Sequence, residues 1–197
     1  MAEARRFEER LRYALRDGAF LVLTVRPSRM VACERELVRR FPALERVSLD
    51  RRLLERLRAK AAEQEVAWPV VLEADGAPPG SEDRENLLGL VRQVMPEVEA
   101  ELRGSSRPVL LIHPGLLARY DQMDLLERLR DQVGRRGVCP GLWVLVAADE
   151  QHELPVIDHR EVPLISSAQR ARVPLAWLEN RHRGNGDLDG GGDGGRR

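Results

Sequence analysis

Lysine is nearly missing from this sequence: Lys60 is the one lysine among 32 basic residues, the rest being arginine. A Walker-type nucleotide site needs a glycine-rich turn with a lysine between a strand and a helix, because backbone amides and one ammonium must cradle the phosphates. The corresponding turn here reads Thr24-Val25-Arg26-Pro27-Ser28-Arg29, without glycine, and Lys60 falls inside a predicted helix. A Walker loop is thereby excluded, although Arg26 and Arg29 remain able to hold an anion near a helix start. Cysteine is equally scarce. Cys33 and Cys139 lie far apart and match no metal-ligand spacing, so both are expected as reduced, buried thiols.

Long apolar runs are also absent, those such as Phe20 to Val25 and Val109 to Ile112 being short. They fall far short of the roughly 18 residues of a membrane span. The start Met-Ala-Glu-Ala-Arg-Arg-Phe has no apolar stretch or small-residue cleavage site, which predicts residence in the cytoplasm. Neither charge sign is in excess, with 32 acidic against 32 basic residues, so the long-range field that draws a basic protein to nucleic acid is missing. The arginines at 35–40 and 51–58 are interleaved with glutamates, which leaves nucleic-acid binding as a third reading.

What is present is an alternation of buried-type strands and amphipathic helices. Phe7, Leu11, Ala14 and Leu15 predict a helix over 3–16, ended by Gly18. Phe20 to Val25 is apolar on both faces, as in a parallel sheet. A helix with Met30, Cys33, Leu37 and Phe41 on one stripe follows, then a short strand over 46–49 and a helix with Leu53, Leu54, Leu57 and Ala61, capped by Asp50. Trp68 to Leu72 reads as an edge strand because of Pro69, and 75–80 as a turn. Ser81 caps a helix with Leu87, Leu88, Val91 and Met95, and Pro96 predicts a fresh first turn rather than a continuous rod. Pro108 to Ile112 and Leu142 to Val146 are the clearest strands, separated by a helix with Leu125, Leu126, Leu129 and Val133 that Gly134 ends. Two short extended pieces around Asp158 and His159 precede a last helix over 171–183 containing Trp177, with Ser166 and Ser167 as its caps. The sum is an α/β domain over 19–183, a mostly parallel sheet of about five strands with helices on both faces. Residues 1–18 form an N-terminal helix, and the glycine and aspartate of 184–197 predict a flexible tail.

Candidate chemistry belongs at the carboxyl ends of the strands, where open α/β sheets bind ligands. His113 occupies the strand tip where a magnesium-binding carboxylate is otherwise placed, and both a structural hydrogen bond and a catalytic role are open to it. Asp149 and Glu150 follow another strand, and with Asp75 they offer carboxylates to a metal. Arg119 would then hold a phosphate, with Tyr120 beside it. ATP and Mg2+ are conceivable ligands of such a site, but no motif supports them. The triplet His159-Arg160-Glu161 lacks the aspartate and asparagine of a kinase catalytic loop, and no Gly-x-Ser-x-Gly occurs. One irregular glycine run at 190–195 is a linker rather than a calcium-binding repeat.

The run His113-Pro114-Gly115-Leu116-Leu117-Ala118-Arg119-Tyr120 is followed by Gly141-Leu142-Trp143-Val144-Leu145-Val146, Leu154-Pro155-Val156-Ile157, Val162-Pro163-Leu164 and Trp177-Leu178-Glu179-Asn180-Arg181-His182-Arg183. In this order the segments resemble the C-terminal module of the large phage growth limitation proteins of BREX-type phage defence, over residues 19–183. The resemblance implies a role in defence beside kinase, ATPase or methyltransferase partners, and it assigns no catalytic residue. By analogy of fold the sheet looks like a P-loop ATPase core that lacks its phosphate loop. Two classes of function follow: a non-catalytic scaffold or regulatory module, and a metal-assisted phosphoryl-transfer or hydrolase enzyme using His113, Asp149 and Glu150.

Overall fold

The computed structural model describes residues 2–135, 137–148 and 152–179. In order, these form α1 (Ala2–Asp17), β1 (Phe20–Val25), α2 (Met30–Arg40), β2 (Glu45–Ser48), α3 (Leu49–Glu63), α4 (Trp68–Gly76), α5 (Glu82–Arg103) and β3 (Val109–Ile112). There follow α6 (Gly115–Arg119), α7 (Asp124–Arg130), β4 (Leu142–Ala147), β5 (Val156–Ile157), β6 (Arg160–Glu161), β7 (Arg170–Arg172) and α8 (Leu175–Glu179). Five strands make one sheet in the order β2-β3-β4-β1-β7, and every neighbouring pair is parallel. The α/β architecture expected from the alternation of elements is the one found. β5 and β6 form a separate hairpin, closed by Asp158 and His159 at φ 46° and 64°, the pair of positive values that a two-residue hairpin loop requires.

Because side chains alternate along a strand, each fully apolar strand feeds two cores. Phe20, Val22, Val109, Leu111, Leu142 and Val144 face α3, α5 and α7. Leu21, Leu23, Leu110, Ile112, Trp143 and Leu145 face α1, α2 and α8. The N-terminal helix therefore packs on this sheet, with Phe7 and Leu11 buried in the second core. Both cysteines are free and buried, and burial pushes the Cys33 thiol up to about 12.

Several local expectations are corrected. Trp68 to Leu72 is helical, not an edge strand: Pro69 sits in the first turn, where an amide would have no partner, and Val71 and Ala74 point into the core three residues apart. Asp75 and Gly76 accordingly close that helix rather than begin a turn. α5 runs unbroken through Pro96, because its buried stripe continues on both sides from Leu87 to Leu102 while Pro96 and Arg92 lie on the exposed side, so the hydrogen bond lost to the ring is lost where water can replace it. Asp50 lies inside the first turn of α3 and does not cap it. Residues 170–172 extend the sheet as β7, since Ala171 pairs with Leu23, so the last helix begins at Leu175 and not at 171. Ser166 and Ser167 begin a single 3-10 turn instead of capping that helix. Ser81 does cap α5, its hydroxyl accepting from the Arg84 amide at 3.3 Å. Residues 180–197 lie outside the described residues. Among the described residues no helix is long and apolar enough to cross a membrane.

Candidate functional site

Parallel pairing puts the residues that follow β1 to β4 along one end of the sheet. Ser48 is in register with Ile112, so the loops leaving β2 and β3 start side by side. His113 takes φ 50° there, its carbonyl accepts from the Asp50 amide at 3.0 Å, and its Nδ1 lies 3.2 Å from the Ser48 hydroxyl. The Asp50 carboxylate reaches the other way and accepts from the Leu116 amide at 2.9 Å, so it anchors the start of α6 and not of its own helix. Burial pushes the Asp50 carboxyl up, against the opposing pull of that amide and of His113.

A second group joins α4, α5 and α6. Asp75, in the last turn of α4, accepts from Arg119 Nε at 2.9 Å and Nη2 at 2.8 Å, a two-pronged contact, and from Arg84 Nη1 at 2.8 Å. Arg84 also donates to the carbonyl of Arg119 at 2.9 Å and lies over the Tyr120 ring at 5.4 Å. Partial burial works against the charge on Asp75, but the hydrogen bonds from Arg119 and Arg84 outweigh it and hold the carboxyl below its ordinary range. Burial, reinforced by the neighbouring Asp75 charge, pushes Tyr120 up to about 12.

The structure thus brings Asp75, Arg119 and Tyr120 together as a clasp and places His113 in a different one with Ser48 and Asp50. Among the described residues no hydrogen bond joins the two, and no group of three His, Cys, Asp or Glu side chains is arranged to hold a metal. Asp149 and Glu150 lie outside the described residues. Arg26 and Arg29 flank a 3-10 turn that begins at Pro27, a residue with no amide to offer an anion. Arg84 is the member of the clasp that sequence reading missed: its only signal was an arginine nine residues after Asp75, across a Pro-Pro-Gly turn whose path the sequence does not specify.

Asp75 also predicts a pH dependence. Its folded pKa is depressed, so the stability it contributes is fully present above the unfolded carboxylate pKa near ~4 and is lost as pH falls through the lower folded value. Arg119→Ala, which removes one partly exposed partner and leaves Arg84, should destabilise by about 1 kcal/mol at pH 7. Thermal melts between pH 2 and 7 should show that difference closing below pH ~4; a gap that persists at the acid end would mean that Arg119 acts through packing.

The chain is 34% identical over 197 residues to a Streptomyces coelicolor protein named "Probable kinase PglW", a match that takes in 95% of this chain. The chain is similar to a segment of PglW. It spans 12% of the length of that protein, so the kinase in the name describes a polypeptide about eight times longer. At 95% of the chain, the likeness takes in more than the 19–183 segment that carries the family resemblance. No protein-family profile matches the chain, and no solved structure does.

Proposed function

We propose that this chain is a non-catalytic contact module of a bacterial phage-defence assembly of the Pgl/BREX type, acting in the cytoplasm beside kinase, ATPase or methyltransferase components. The likeness to PglW supports the biological setting. The observation that carries the non-catalytic reading is the clasp: the Asp75 carboxylate is taken up by Arg119 and Arg84, and the three tie three helices together, which is structural work for groups suited to metal or phosphate chemistry.

The test is purification of the tagged chain from its native host during phage challenge, with mass spectrometry of what accompanies it. A defence component should be enriched over a tag-only control; its consistent absence would defeat the proposal. A thermal-shift titration with ATP, GTP and ADP, with and without magnesium, separates the enzymatic alternative, because a ligand of the folded state raises stability by mass action. No shift is expected at millimolar nucleotide. A saturable magnesium-dependent shift, with turnover abolished by His113→Ala at unchanged melting temperature, would establish the phosphoryl-transfer reading instead.

A further inference from the structure

We draw no further inference here: the strongest candidate, the surface patch of Arg26 and Arg172 with the Thr24 hydroxyl at the carboxyl ends of β1 and β7, rests on exposed positive charge whose balance turns on Asp149 and Glu150, which follow β4 outside the described residues, and nothing in the structure shows what covers it.

Discussion

Replacing Trp177 by alanine is expected to lower the melting temperature by roughly 6–20 °C, the equivalent of about 3–5 kcal/mol for a chain of this length. Trp177 is almost wholly buried in the second core, where its ring meets Phe7 edge-on at 5.2 Å. Its indole N–H donates to Glu8 at 2.9 Å, and the Arg40 guanidinium lies over the ring at 4.2 Å while donating to the Trp177 carbonyl at 2.8 Å. One side chain therefore joins α1, α2 and α8. Alanine removes the ring from between them and leaves Glu8 and Arg40, already paired at 3.0 Å, beside a cavity. Trp177→Phe keeps the contact with Phe7 and loses the indole donor, so its loss should be closer to 1–3 kcal/mol. Hydrogen exchange at Phe7 to Leu11 should rise more than exchange in β3 and β4 for the alanine variant. A melting temperature within about 2 °C of the parent for Trp177→Ala, under 1 kcal/mol on the same scale, would show that α1 is held by something other than this joint.

That α1 belongs to this sheet was not legible in the sequence, although the helix itself was. Phe7 and Leu11 specify an apolar stripe, and nothing in a stripe says what it covers. The central strands were legible for the opposite reason: Phe20 to Val25 and Leu142 to Val146 are apolar on both alternating faces, and only a strand with a core on either side accommodates that. Trp68 to Leu72 failed the same test in a concealed way. Its valines and leucine suit a strand, but the residues that reach the core are Val71 and Ala74, a helical interval, and Pro69 fits a helix start as well as it fits an edge. Local preference was overridden there by packing on α5. Pro96 misled for a related reason, since the cost of a proline inside a helix falls when it faces water and a long buried stripe holds both sides of it in line.

The site was legible as a set of residues and not as a set of pairs. Asp75, Arg119 and Tyr120 each stood out as chemistry-bearing groups near loops, and the helix ends of α4 and α6 bring them into one cluster. Their mutual satisfaction depends on Arg84, whose place is set by the path of 77–81 between two helices, and a turn of that composition does not fix where its following helix lies. Asp50 shows the same limit: an acidic residue opening a helix predicts a cap, and the tertiary structure assigns its carboxylate to the neighbouring loop at Leu116.

Gly18 and Gly134 carry the second large prediction, because the two turns they occupy touch backbone to backbone. Each was legible as a helix terminator from its position after a helical stripe, and each has positive φ, 69° and 77°. Their meeting was not legible, and it makes them more demanding than terminators. A Cβ on Gly18 would lie 2.4 Å from the Pro140 carbonyl oxygen, and one on Gly134 would lie 2.6 Å from the Gly18 carbonyl oxygen. Gly80 also has positive φ, 81°, but a Cβ there meets nothing within 4 Å. Gly80→Ala should therefore suffer the backbone strain alone, about 1 kcal/mol, whereas Gly18→Ala and Gly134→Ala should each lose at least about 3 kcal/mol once the contact is forced apart. The entry to β1 and the entry to β4 separate together in either variant, since Leu142 donates to the Ala19 carbonyl at 3.1 Å and Gly134 to that of Cys139 at 3.0 Å. The double variant should accordingly fall well short of the sum of the two single losses, as residues that share one contact do. Urea denaturation of the four proteins reads both quantities. Equal losses at Gly18 and Gly80 would remove the close approach from the account, and strict additivity would mean that the two turns yield independently.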